Sequence, residues 1–355
     1  MGFNSFPFFF NDKQSLIPLT SDQRYFKEKL IFALEKKTLT LKENKCICGN
    51  SHNLSDITIS EKDRYGFPIP QVLCSKCGLI RSQLVFDDSS NNIFYKDYYR
   101  KIYSTSNIED YFSYQNKRGT RFLNLLKSLK IFEKITKINE IGCGSGGILY
   151  PFLGFGKEIR GYDFENDFLE FGQKKGLDLS DKDFFVECEN DYCDLVIMSH
   201  VMEHLIEPIP FLKKIISKIK TDKYLLIEVP GLYSNPFPNF NPILFFQNAH
   251  VIQFYTKSHL TALLESLGLT IIYGDETCTF ICQKRGDKEE NLKPFFDYDW
   301  KDSAKTTQLF LKNCKKKYDQ TLPKGLKTRL YNFACMFRYE QIKDFIKMLF
   351  RGKRD

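Results

Sequence analysis

Three groups of residues in this 355-residue chain have the types and spacings that chemistry needs. The first is Glu140 followed by Gly142, Gly144 and Gly146 at alternate positions. Glycine there lets the backbone turn with positive φ and lets a ligand approach with no Cβ in the way. The spacing is Gly-x-Gly-x-Gly, not the Gly-x-Gly-x-x-Gly of dinucleotide sites. Asp163 stands seventeen residues beyond Gly146, at the end of a second apolar segment. An acidic residue at the tip of the second strand of a βαβ unit can accept both hydroxyls of a ribose. The second group is Cys46-x-Cys48 with Cys74-x-x-Cys77. The third is His200-x-x-Glu203-His204, with His250 further on.

Two tight turns that each present two thiolates meet the need of a tetrahedral zinc ion, and with no position left for water such a site is structural. Gly49 and Gly78 follow the two pairs and free backbone amides to point at sulfur. The first pair is one residue shorter than usual, which leaves His52 as a substitute ligand. Four free cysteines are the alternative reading. Disulfides suit the chain less, because the apolar Phe6–Phe10 stretch is short, with no basic residues ahead of it, unlike a secretory signal. His200-x-x-Glu203-His204 has the spacing of an inverted zinc-protease motif, but that motif must lie within a helix. Here it begins where a buried strand ends, at the edge where α/β sheets bind ligands.

A sheet must position these groups. Apolar runs predict strands over 135–141, 158–163, 182–187, 194–199 and 224–230, with a closing pair over 269–272 and 279–283. Helices are predicted over 23–37, 115–129, 147–155, 211–219 and 258–267. The helix after Gly147 would aim its N-terminal amides at the ligand of the glycine turn. His259, at the start of the last of these helices, reads as a cap or a surface residue. Pro230-Gly231 and the stretch 233–248 form a long loop, of the kind that covers sites in compact domains.

Glu140-x-Gly142-x-Gly144-x-Gly146 resembles the first motif of the class I S-adenosylmethionine-dependent methyltransferases. The resemblance implies that Glu140 and the glycine turn receive the methionine end of the cofactor and that Asp163 takes its ribose. Phe164, Glu187 and Ser199 complete the implied cofactor set, with Glu187 or Cys188 near the adenine. The implied fold class is α/β, a Rossmann-like seven-stranded sheet with a small N-terminal zinc-knuckle module and a helical basic C-terminal tail. Boundaries fall at 1–45, 46–105, 106–285 and 286–355. Family members carry a Glu-His pair after the fourth strand, matched by Glu203-His204. A sulfonium methyl is already activated, so such a site must hold a nucleophile in line and remove its proton. His204 and His250 are the candidate bases. Glu203 either orients a histidine or joins His204 in holding a divalent ion, and capping of the next helix is the structural alternative.

A second resemblance covers Cys46 to about Lys284. Bacterial methyltransferases of sugar and surface-glycan pathways carry an N-terminal zinc module ending in a Cys-Gly-Leu turn and a tyrosine-rich stretch. Cys77-Gly78-Leu79 followed by Tyr95, Tyr98, Tyr99 and Tyr103 is similar. It implies a sugar acceptor, as a nucleotide-sugar or a glycan, with the tyrosines either covering the acceptor or packing as core.

Charge is unevenly placed. Residues 301–355 hold 15 basic and 5 acidic residues, net +10, whereas the other 300 hold 37 and 39, net −2. A basic tail suits RNA, and RNA methylation is one alternative function, but the −2 body offers no basic path to the site. A fold-retaining, inactive scaffold is the other, and the intact glycine motif argues against it. Leu326, Leu330, Phe333, Phe337, Phe345, Ile346 and Leu349 recur at helical spacing among Lys327, Arg338, Lys343, Lys347 and Arg351. Such a helix can lie peripherally on an anionic membrane or fold back on protein. Eleven cysteines without a signal, and no run that could span a bilayer, predict a cytoplasmic protein.

Overall fold

The structure, a computed structural model, describes residues 9–50, 56–103, 107–233, 252–286 and 292–321. His52, His250, nearly all of the 233–248 stretch and the amphipathic segment 326–351 lie outside the described residues. The described chain divides into two compact units. One comprises 9–103, 252–253 and 300–321, the other 107–233, 254–286 and 292–299.

In the first unit, helix α1 spans Ser21–Glu35. Thr20 caps it, and Gln23 returns the bond, so the helix starts two residues before the predicted point. Strands β1 (Leu41–Glu43) and β5 (Leu84–Phe86) pair antiparallel. Strands β2 (Ile57–Ser60), β3 (Gln71–Leu73) and β4 (Ile80–Ser82) form an antiparallel sheet, extended beside β4 by the strand Ile252–Phe254. The tyrosine-rich stretch winds as a π-helix over Phe94–Tyr99. Tyr99 stacks on Tyr103 at 5.6 Å and Tyr65 meets Tyr103 edge-on at 4.6 Å. With Leu30, Phe67, Phe94 and Tyr98 these rings build the unit's own core. The helix Ser303–Thr321 belongs to this unit too. Ser303 Oγ donates to the Cys77 carbonyl at 2.7 Å, and a Cβ on Gly78 would sit 2.8 Å from the Ser303 carbonyl. The stretch after residue 300 therefore starts on the cysteine turn, where the sequence reading kept it as a separate extension.

The second unit opens with helix α2 (Ile108–Ser128), which starts earlier than predicted because Asn107 caps it. Its sheet has strands β6 (Lys137–Ile141), β7 (Glu158–Tyr162), β8 (Asp178–Ser180), β9 (Cys193–Ser199), β10 (Ile219–Glu228), β11 (Leu269–Gly274) and β12 (Thr279–Lys284). The order is β11-β12-β10-β9-β6-β7-β8, parallel except where β12 runs against β10 and β11. It is a mixed α/β fold around a mainly parallel seven-stranded sheet. β9 is buried along its whole length, which is why its apolar run is nearly unbroken.

Two expectations are corrected. The third strand is Asp178–Ser180, not 182–187, and Phe184–Glu187 is a helical turn. Asp183 takes the Phe185 amide at 2.8 Å and caps that turn, so the Phe-Phe-Val run winds rather than extends. The predicted helix over 147–155 shrinks to a 3-10 turn over Tyr150–Phe152. Gly154 and Gly156, both at positive φ, end it. No helix among the described residues is long and apolar enough to cross a membrane.

Candidate active site and candidate metal centre

The turn from β6 is built from glycine because nothing else fits. Gly142, Gly144 and Gly146 have φ of 69°, 53° and 74°. A Cβ at Gly142 would lie 2.5 Å from Val201 Cγ2, at Gly144 2.8 Å from the Tyr111 ring, and at Gly146 2.7 Å from Leu177. Gln115 of α2, which the sequence reading did not single out, pins the loop. It donates to the Cys143 carbonyl at 2.9 Å and accepts from Ser145 Oγ at 2.9 Å and the Gly147 amide at 3.3 Å.

Asp163 stands at the tip of β7. Its Oδ2 accepts the Gly144 amide at 2.8 Å, and its Oδ1 accepts the amides of Phe164 and Glu165 at 2.8 and 3.2 Å. The next ring, Phe164, is 84% exposed, a flat apolar face beside that carboxylate. Glu187 lies elsewhere in character. It is ion-paired to Arg160 at 3.0 Å and Lys182 at 2.9 Å, and the Lys182 bond foremost holds its carboxyl below the usual range. The strand on which its place by the adenine rested is absent. Cys188, the other residue expected near the adenine, is buried with its Sγ 3.4 Å from that of Cys193.

Glu140 is fully buried, and among the described residues neither carboxylate oxygen has a hydrogen-bond partner. Burial first, and the Asp163 carboxylate second, push its pKa well up, while Arg118 partly offsets them. An unpartnered buried carboxylate at the head of a glycine turn fits the ammonium of a methionyl ligand. At a pH between the ordinary carboxylate value and Glu140's raised one, binding that ammonium is expected to release a proton. Calorimetry in buffers of different ionisation enthalpy reads this directly: the binding heat should depend on the buffer in the wild type and not in Glu140→Gln. Buffer-independent heat in the wild type would contradict it.

On the other side of β6, a charged network closes the ends of β9 and β10. Arg118 Nε lies 3.1 Å from Glu228 Oε1, and its Nη1 donates to Ser199 Oγ at 3.3 Å. Arg121 pairs with Glu228 Oε2, which also accepts from Thr279 Oγ1 at 2.6 Å. Burial raises Glu228, but the nearby His200 ring, the bond from Thr279 and the two arginines win and bring it down to about 2. Because the folded value is depressed, its stabilisation is present above the ordinary carboxylate range and is lost as pH falls toward about 2. Glu228→Gln is expected to cost about 3 kcal/mol at neutral pH and to remove that acid dependence, as denaturant titrations would show.

His200 has φ of 57°, and its amide donates to the Glu228 carbonyl at 2.8 Å. Its Nδ1 lies 3.0 Å from Glu203 Oε1. The histidine that lies against Glu203 is therefore His200. His204 is half-buried on the 3-10 turn Met202–His204, its amide bonded to the Val201 carbonyl at 3.0 Å. His259 is buried, and its Nδ1 lies 2.9 Å from Thr256 Oγ1 in the cap of the helix Lys257–Glu265.

In the first unit, the Sγ atoms of Cys46, Cys48, Cys74 and Cys77 all lie within 4.8 Å of one another, and all four residues are buried. Cys46 and Cys77 are 3.5 Å apart, Cys48 and Cys74 3.7 Å. Tetrahedral thiolates at a metal distance of ~2.3 Å stand ~3.8 Å apart, so the group could hold a metal ion. Among the described residues it is the one such group, and no third ligand joins Glu203 and His204. Asp56, fully buried, braces the site. It accepts from the Ser75 amide at 2.8 Å and from Asn50 at 3.2 Å, and pairs with buried Arg81 at 2.9 Å. Arg81 in turn donates to the Asn44 carbonyl at 3.0 Å. One ion pair therefore ties both cysteine turns.

Residues 110–273 match the family model described as "Methyltransferase domain". No curated protein matches. Among solved structures, a SAM-dependent methyltransferase from Archaeoglobus fulgidus is 24% identical, covering 60% of this chain and 94% of that one, with a TM-score of 0.37. One from Aquifex aeolicus is 16% identical, covering 41% and 80%, with a TM-score of 0.33. One from Methanosarcina mazei is 15% identical, covering 42% and 92%, with a TM-score of 0.35. Residues 110–273, whose sheet carries the glycine turn, are thus similar to a methyltransferase domain.

Proposed function

We propose that this enzyme methylates a sugar, presented as a nucleotide-sugar or as part of a surface glycan. The observation that carries cofactor use is the buried, unpartnered carboxylate of Glu140 beside the glycine turn. Glu140 would hold the cofactor's ammonium, Asp163 its ribose hydroxyls and Phe164 a face of its adenine. When bound, the cofactor supplies a methyl group on a positively charged sulfur. The chain's own task is to hold the acceptor in line and accept its proton, which typically contributes ~10²–10⁴-fold. The sugar reading rests on the four-cysteine module and the tyrosine-rich stretch that follows it. In the same reading the four thiolates hold a structural zinc ion, and the basic tail brings the enzyme to an anionic membrane where lipid-linked glycans lie. A methyl-label assay against nucleotide-sugars, crude glycolipid and total RNA tests it. Label in the sugar fractions is expected, and label in RNA alone would replace this acceptor class.

A further inference from the structure

We propose that His200 accepts the acceptor's proton during methyl transfer and that Glu203 is its positioning residue. This rests on the reading that the cofactor binds at the glycine turn. The sheet order puts β7 and β8 on one side of β6, and β9 and β10 on the other. A ligand held by Asp163 on β7 and Glu140 on β6 leaves the β9–β10 edge for the acceptor. His200 is the first residue past β9, and Val201 beside it closes on Gly142, whose added Cβ would lie 2.5 Å from Val201 Cγ2.

The local geometry is built rather than incidental. His200 occupies the left-handed region at φ 57°, where a non-glycine residue is strained, and the bond from its amide to the Glu228 carbonyl holds it there. Its side chain is 35% exposed while that of Glu203 is fully buried. Nδ1 at 3.0 Å from Glu203 Oε1 fixes the tautomer with the proton on Nδ1, which leaves the Nε2 lone pair to act. Nε2 lies 3.6 Å from Glu228 Oε1, beyond a hydrogen bond but close enough to favour an imidazolium once formed.

The step balances. As the acceptor's hydroxyl oxygen bonds to the methyl carbon, the methyl–sulfur bond breaks with its electron pair going to sulfur. The hydroxyl proton moves to Nε2. One positive charge on sulfur becomes one on the imidazole, between two carboxylates. Among the described residues, the charged groups facing His200 are Glu203, Glu228 and Arg118. Burial pulls its pKa down and Arg118 does too, but the two carboxylates more than reverse this. Turnover should therefore fall as pH drops through a raised histidine value.

The test uses the full chain and three variants, His200→Asn, His204→Asn and Glu203→Gln. Asparagine tolerates the left-handed backbone and keeps a donor, but it cannot take a proton. With methyl-labelled cofactor and the nucleotide-sugar and glycolipid acceptors, His200→Asn should lose ~10²–10⁴-fold in kcat, keep its cofactor affinity by calorimetry and lose the acid limb of the pH profile. Ring-nitrogen NMR of labelled histidine reads the arrangement without any acceptor. The His200 ring should carry its neutral-form proton on Nδ1, and its midpoint should drop in Glu203→Gln. The Nε2–H tautomer, an unmoved midpoint, or loss of turnover in His204→Asn with His200→Asn active would overturn the proposal. If the wild type binds no cofactor, the reading of that site falls, while the nitrogen spectra still decide the His200–Glu203 arrangement.

Discussion

Asp163→Ala is expected to weaken S-adenosylmethionine binding about 100-fold or more. Each bond from a ribose hydroxyl to a carboxylate is charge-assisted and contributes ~1.5–3 kcal/mol, and two of them together span several factors of ten. The side chain also fixes the Gly144 and Phe164 amides, so the variant loosens the turn it faces. Calorimetry on both proteins reads the effect. Equal affinities would remove Asp163 from the cofactor site.

Removing the zinc ion proposed for the four-cysteine group should have the largest effect on stability. Structural zinc contributes ~10–16 kcal/mol in small zinc peptides, the same scale as the ~5–15 kcal/mol that holds a whole domain. Four buried thiols stand 3.5 to 3.7 Å apart in pairs, with the Asp56–Arg81 ion pair beside them, which is the spacing a metal ion needs. Elemental analysis of protein purified without chelator should give one zinc per chain. Chelation, or Cys74→Ser, should open the 44–82 region to proteolysis. Metal-free protein with an unchanged digestion pattern would contradict the assignment.

What the sequence made legible was local. Glu140 with its glycines, Asp163 and the two cysteine pairs are short-range patterns, and β6, β7, β9 and β10 announce themselves as apolar runs. Assembled features were not legible. Arg118 and Arg121 sit on one helix face at i and i+3, while Glu228 ends β10 and Thr279 starts β12. Only the fold brings these segments to one carboxylate. Their one local signal is Gln115 on the otherwise apolar buried face of α2, with Arg118 at its margin. Asp56 and Arg81 are 25 residues apart and show no pattern at all. The adjacent Glu203-His204 pair points in sequence to the next histidine, whereas the turn after β9 gives Glu203 to His200. Phe184 to Val186 has the apolar, aromatic composition of a strand, but Asp183 caps it as a helical turn.

The most direct test of the central claim is a calorimetric titration of the full chain with S-adenosylmethionine, with NAD as the comparison ligand. One-to-one binding of S-adenosylmethionine, lost in Asp163→Ala, and no heat from NAD is the expected result. Binding of NAD in its place would mean that the Gly-x-Gly-x-Gly turn serves a dinucleotide and would contradict the account.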